Sequence, residues 1–145
     1  MTPDVNVLLA AARTDHAHHL VAAPWLRGTI KASATGTGLL LMPMVVASFL
    51  RLVTNPKVFG VPTLAERAIA YVDDLLDLPG VALATLGAEW PLFRRLCVDK
   101  QLTGNALPDA WLAAAVMQQG EHLVTFDSDF RKLLPRNRLT VLATT

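Results

Sequence analysis

The chain has one cysteine, Cys97, so an internal disulfide is excluded, as is any zinc site that needs paired thiolates. Its neighbours Leu96 and Val98 make it read as a small core hydrophobe. Neither sign of charge is in excess. Thirteen basic and 12 acidic residues leave a formal net charge of +1, which excludes a strongly basic nucleic-acid coat but not an acidic pocket neutralised by a cation. There is no run long enough to cross a membrane. The longest apolar stretch, from Leu39 to Leu50, contains Pro43 and Ser48 and stops at Arg51, whereas a span needs about 20 residues. The opening Met-Thr-Pro-Asp lacks a basic n-region, so no secretory signal is expected and the compartment reads as a reducing cytoplasm. What the chain has in abundance is buried surface. Hydrophobic residues make up 52% and charged residues 17% of 145 positions, which fits a single domain over residues 1–145 with one substantial core.

The pattern alternates helix and strand. Asp4 stands just before Val5 to Ala12, so the first strand is short and a helix begins near Asn6 with Asp4 as its cap. Asp15 to His19 opens a second helix that runs to about Ile30, with Asp15 as cap. His16, His18 and His19 share no helical face at i, i+4 spacing and read as a solvated helix start, with His19 at the rim of a site. Lys31–Gly38 is a small-residue loop. Its Gly36 and Gly38 precede a strand, which rules out a dinucleotide loop. Leu39–Met42 is a buried strand, and Pro43 starts a helix that ends at Thr54-Asn55-Pro56. Thr63 and Glu66 are spaced as a capping box for a fourth helix, with Ala65, Ile69, Val72 and Leu76 as its apolar stripe and Asp73, Asp74 and Asp77 in solvent. After Pro79-Gly80 come a strand over Val81–Ala84, a helix over Trp90–Cys97, an apolar helix over Leu107–Met117, a strand over His122–Thr125, and a last strand over Leu139–Leu142. Alternation with short connections implies an α/β fold, a parallel sheet with helices on both faces.

Three aspartates fall where such a sheet makes its sites, outside the carboxyl ends of strands at the point where strand order reverses. Asp4 precedes the first helix, Asp109 heads an otherwise apolar helix, and Asp127 follows the strand His122–Thr125. Each alone is explained as a cap. Together they would repel, and one would be forced to hold a proton unless a cation bridged them. Hard oxygen donors without cysteine or histidine point to magnesium or manganese, which activate water and steady the phosphate in phosphodiester hydrolysis. A phosphoacceptor receiver-like domain also uses an acidic rim, but it wants a lysine after the last strand, and none stands in Leu142–Thr145.

The ordered set Asp4 to Leu9, Val46 to Arg51 with Thr54-Asn55-Pro56, Gly104 to Ala114, and Leu123 to Phe130 resembles the PIN-domain ribonucleases, specifically the VapC-type toxins of bacterial VapBC pairs. The resemblance spans almost the whole chain. It implies a three-layer fold with a parallel five-stranded sheet and a magnesium- or manganese-dependent endoribonuclease that cuts structured RNA, such as transfer or ribosomal RNA. It also implies a homodimer and a cognate VapB antitoxin that inserts a segment into the acidic groove. By position Asp4, Asp109 and Asp127 would be the metal ligands and catalytic acids. Asp129 would be a neighbouring acid, with Asn6 and Thr125 as orienting side chains. PIN nucleases usually carry a glutamate on the third helix, where this chain has Ser48. A catalytically weakened PIN domain that binds RNA or antitoxin is therefore the alternative. Arg13, Arg94, Arg95, Arg131 and Lys132 are the candidate phosphate contacts, and Phe49, Leu52, Val58 and Phe59 are candidate dimer surface.

Overall fold

The structure, a computed structural model, describes residues 1–36 and 38–144; Thr37 of the small-residue loop and Thr145 lie outside them. Among the described residues, five short strands and six helices follow in order: β1 (Thr2–Pro3), α1 (Val5–Ala12), α2 (His19–Ser33), β2 (Leu39–Leu41), α3 (Pro43–Val53), α4 (Ala65–Leu76), β3 (Val81–Leu83), α5 (Trp90–Asp99), α6 (Ala106–Gln118), β4 (Leu123–Thr125) and β5 (Leu139–Val141). All pairings are parallel. β4 lies between β1 and β5, with Thr2 beside Leu123 and Leu123 beside Leu139, and β2 pairs β3 from Leu39 beside Val81. The two ladders meet at Met1, whose carbonyl accepts from Leu40 N at 2.9 Å. The strand order is thus β3-β2-β1-β4-β5, and it reverses between β1 and β4.

Both faces of the sheet are covered. Leu123 and Val124 point to opposite sides, as successive strand residues must, and each is fully buried. Leu123 joins the large cluster containing Leu41, Phe49, Leu112, Val116 and Phe130, and Val124 packs with Val7, Ala10 and Ala22 of α1 and α2. A third, smaller cluster joins Phe93 of α5 to Ala110 and Ala114 of α6. Cys97 is half-buried beside it. Among the described residues no helix is long and apolar enough to cross a membrane.

Several local expectations hold. β1 is two residues long, Pro43 sits in the first turn of α3, and Asp4 caps α1 by accepting from Val5 N at 2.7 Å. Gly80 turns the chain into β3 at φ +77°. There a Cβ would come within 2.1 Å of the Ser33 carbonyl oxygen, so the end of α2 lies directly on the turn.

The caps expected at Asp15 and Thr63 fail for one shared reason. Asp15 caps nothing, and α2 starts four residues later at His19. Asp15 is instead gripped by Arg13, whose Nε and Nη2 donate to its two oxygens at 2.8 and 2.6 Å. Arg13 Nη1 also donates to Thr63 Oγ1 at 3.2 Å. The Thr63 hydroxyl therefore serves a guanidinium, and α4 begins at Ala65 without a side-chain cap. Arg13 lies 4.2 Å above the Phe59 ring as well, so it ties the end of α1 to the loop before α4 and is not free for phosphate. The buried stripe of α4 is Ala68, Val72 and Leu75, and Ile69 faces solvent. Phe49 belongs to the core, which leaves Val58 as the most exposed of the expected dimer residues.

Candidate active site

The reversal between β1 and β4 brings the two ends of the chain together. β1 stops after Pro3, and Asp4 N donates to Val124 O at 2.8 Å, so the Asp4 carboxylate starts at the carboxyl edge of the sheet. It is buried there, 6% exposed. Its Oδ2 accepts the hydroxyl proton of Thr125 at 2.7 Å. Having donated its only proton, Thr125 Oγ1 accepts from Asn6 Nδ2 at 3.2 Å and from Asp127 N at 3.0 Å. Asn6 Oδ1 takes Phe126 N at 3.2 Å. Asn6 and Thr125 thus fasten the start of α1 to the loop after β4.

Asp109 comes from the first turn of α6, which follows a left-handed glycine at Gly104. It is half-buried, and it lines two clefts. One, of about 570 Å³, also holds Asp4, Ser48 and Trp111. The other, of about 300 Å³, holds Asp129 and Lys132. Ser48 of α3 therefore shares a wall with Asp4 and Asp109.

The electrostatics follow from this crowding. Burial pushes the Asp4 carboxyl above the ordinary carboxylate range, against the hydrogen bonds from Thr125 and Val5, and the Asp127 charge adds to the rise. Asp109 is raised by burial first, then by the charges of Asp4, Asp127 and Asp129, and among the described residues no hydrogen bond counters these effects. Four acids feel one another. They do not converge, however: among the described residues no three His, Cys, Asp or Glu side chains lie close enough to share one metal ion. Asp127 Oδ1 accepts from Asp129 N at 2.8 Å, capping the 3-10 turn Ser128–Lys132. Asp129 is exposed, with Lys132 Nζ at 3.8 Å.

His18, rather than His19, meets the rim: its ring lies 4.8 Å from that of Phe126, while His19 Nδ1 is 2.9 Å from Ala10 O. Arg94, Arg95, Arg131 and Lys132 are exposed.

Sequence reasoning passed over Glu89. This side chain is 1% exposed and sits on the wall of the larger cleft. Its Oε1 accepts Trp111 Nε1–H at 2.8 Å and its Oε2 accepts Gly87 N at 2.7 Å. Burial works to raise its carboxyl, and these bonds outweigh it, so the group is held below the ordinary range. Its one local signal is a glutamate flanked by Gly87 and the Trp90-Pro91 helix start, which does not reveal a partner on α6.

Comparison with known proteins agrees with the topology. The PIN domain family matches residues 1–133. Ribonuclease VapC25 of Mycobacterium tuberculosis is 35% identical over 130 residues, 89% of each chain. Ribonuclease VapC43 of the same species is 35% identical over 131 residues, 89% of this chain and 86% of that one. Two solved structures share the fold at 17% identity. The M. tuberculosis VapC20 toxin, described as cleaving the sarcin-ricin loop, has a TM-score of 0.61 over 90% of this chain and 92% of its own. VapBC2 of Rickettsia felis, bound to a promoter DNA fragment, has a TM-score of 0.65 over 96% of both chains. With its strands all parallel, a family match over residues 1–133 and relatives 35% identical over nine-tenths of its length, this chain belongs to the PIN-domain family, among the VapC ribonucleases.

Proposed function

We propose that this protein, acting as one domain over residues 1–145, is the toxin of a VapBC pair, an endoribonuclease that hydrolyses phosphodiester bonds in structured RNA with magnesium or manganese. The observation that carries the reading is the placement of Asp109, a half-buried carboxylate on one cleft wall with Asp4 and on another with Asp129, where burial and the charges of Asp4, Asp127 and Asp129 all oppose its ionisation. A group in that position is stabilised by a cation. The donor chemistry, carboxylate oxygens alone, fits magnesium or manganese, and Asp4, Asp109 and Asp127 are the residues that would hold it. When bound, the ion supplies charge stabilisation to the phosphate and lowers the pKa of water.

The chain's own side chains do the rest. Thr125 holds the Asp4 oxygen in place, and Asn6 fixes the loop that carries Asp127. Lys132 and Arg131, exposed beside Asp129, offer charge to RNA phosphates, as do Arg94 and Arg95 on α5. Transfer or ribosomal RNA is the substrate class. A VapB antitoxin would place a basic segment in the same acidic groove, where charge complementarity favours it. A homodimer would use the exposed Val58, Val61 and Leu64 around the loop before α4.

Incubating the purified protein with total RNA and manganese tests the reading. Asp4→Asn and Asp109→Asn should each abolish cleavage and growth arrest, and undiminished toxicity in both would refute it. Ser48, on the cleft wall with Asp4 and Asp109, favours one second reading, a PIN domain that binds RNA or antitoxin without cutting. Ser48→Glu separates the two, because a large gain in cleavage would mark the natural site as one carboxylate short.

A further inference from the structure

The larger cleft carries three acids, Asp4, Asp109 and Glu89, and the Glu89 carboxylate is spent on hydrogen bonds to Trp111 and Gly87. Much of the remaining lining is apolar, from Met44, Val45, Leu86, Pro108 and Leu112. At about 570 Å³ it is the size of a small-molecule pocket. Trp111 is the unusual member. It is 38% exposed although its neighbours Leu112 to Val116 on α6 are buried, so burial is not what this ring is for.

The indole is nevertheless immobilised. Its N–H is bonded to Glu89, a carboxylate buried at 1% exposure and itself anchored by Gly87 N. Phe93 packs against it with centroids 4.5 Å apart, and Trp90 lies 6.0 Å away. The loop that carries Gly87 is in turn held to α6 by Gln119 Nε2, which donates to Thr85 O at 2.8 Å. Burying a carboxylate to hold one N–H costs desolvation energy, and the result is a rigid aromatic surface in an open cleft, two residues along the helix from Asp109.

We propose that Trp111 is a stacking platform for a nucleobase of the RNA, the one adjoining the phosphate at Asp4 and Asp109, and that Glu89 is its positioning residue. The inference rests on the ribonuclease reading for the position of that phosphate. Continuity makes the argument: of the two nucleosides joined to a phosphate at the acid pair, one lies towards the cleft of Asp129 and Lys132 and the other towards the apolar part of the cleft that holds Trp111. A flat, locked indole offers every base a π face. A base can reach it only when unstacked, so the cut falls in an unpaired or loop segment of the RNA.

The test compares binding and cleavage of short single-stranded RNA oligonucleotides with abasic ribose-phosphate oligomers of the same length. Wild type should bind the base-bearing RNA about tenfold or more tightly than the abasic oligomer. Trp111→Ala should lose that factor, chiefly as a rise in KM, and bind the abasic oligomer as wild type does. Trp111→Phe should restore most of it, and Glu89→Gln, which gives up one of the two acceptor bonds, should fall between. Equal binding of the two oligomers by wild type would overturn the proposal, and needs no variant to fold. So would a Trp111→Ala loss that is the same with and without bases, which marks a structural role. Unchanged RNA binding in Trp111→Ala, together with lost binding of an arginine- and leucine-containing peptide, would overturn it in favour of a protein occupant. Base-dependent binding that needs Trp111 without any cleavage would support the platform while refuting the nuclease.

Discussion

Thr125 and Asp4, 121 residues apart in sequence, share a hydrogen bond of 2.7 Å in which a buried hydroxyl gives its only proton to a buried carboxylate. The same oxygen receives Asn6 Nδ2 and Asp127 N, so its hydrogen-bonding capacity is full. Thr125→Val should therefore leave three polar groups short of a partner and cost about 2–3 kcal/mol, read from urea denaturation. Thr125→Ser keeps the bonds and should stay within about 1 kcal/mol of wild type. RNA cleavage should fall sharply in the first variant and little in the second.

Adding magnesium or manganese should raise the melting temperature, by about 5–10 °C at a hundredfold excess over Kd. Asp109→Asn should remove that response. It should also melt a few degrees above wild type when no metal is added, because it relieves a carboxylate that burial and the charges of Asp4, Asp127 and Asp129 all oppose. A metal-free Asp109→Asn protein less stable than wild type would show that the charge is not a burden.

Gly80 and Gly28 should respond to alanine in opposite directions. At Gly80 the backbone is left-handed and the new Cβ meets the Ser33 carbonyl at 2.1 Å, so Gly80→Ala should cost about 3 kcal/mol. Gly28 lies inside α2 with open space around its Cβ position, and Gly28→Ala should gain about 0.5–1 kcal/mol. Chemical denaturation of the two variants measures both.

Tyr71, the chain's one tyrosine, packs against Phe49 with ring centroids 5.6 Å apart. Burial pushes its phenol up from 10.0 to about 12. The folded protein then holds the proton where the unfolded chain has lost it. The stability this contributes is complete below pH 10.0 and is lost as pH rises towards about 12. Tyrosinate absorbance should titrate late in the folded protein, and Tyr71→Phe should flatten the alkaline fall in stability.

The features legible in the sequence are those decided within a few residues. Pro43 at a helix start, the Pro79-Gly80 break and Asp4 at the head of α1 each depend on local backbone geometry. Aspartates at the ends of strands could also be read, because the parallel topology constrains where such ends lie. Side chains with distant partners could not. Thr63 looks like a cap until Arg13, 50 residues away, claims its oxygen, and Asp15 looks like one until the same guanidinium pairs with it. Glu89 has no local signature because its partner Trp111 lies 22 residues on. The face of α4 that is buried was likewise settled by what α3 presents to it, and Ile69 lost its place to Ala68 and Leu75.

A strand of two residues has a consequence for timing. Asp4 closes β1 and opens α1, yet its second oxygen is oriented by Thr125, and its backbone amide by Val124. A ribosome that has made the first hundred residues has already released both Asp4 and Ser48 into the nascent chain, but no pocket around them. The acid pair is assembled when β4 slots between β1 and β5, near the end of synthesis. A chain stalled or clipped before residue 123 would lack both Val124 and Thr125, and with them the bonds that orient Asp4.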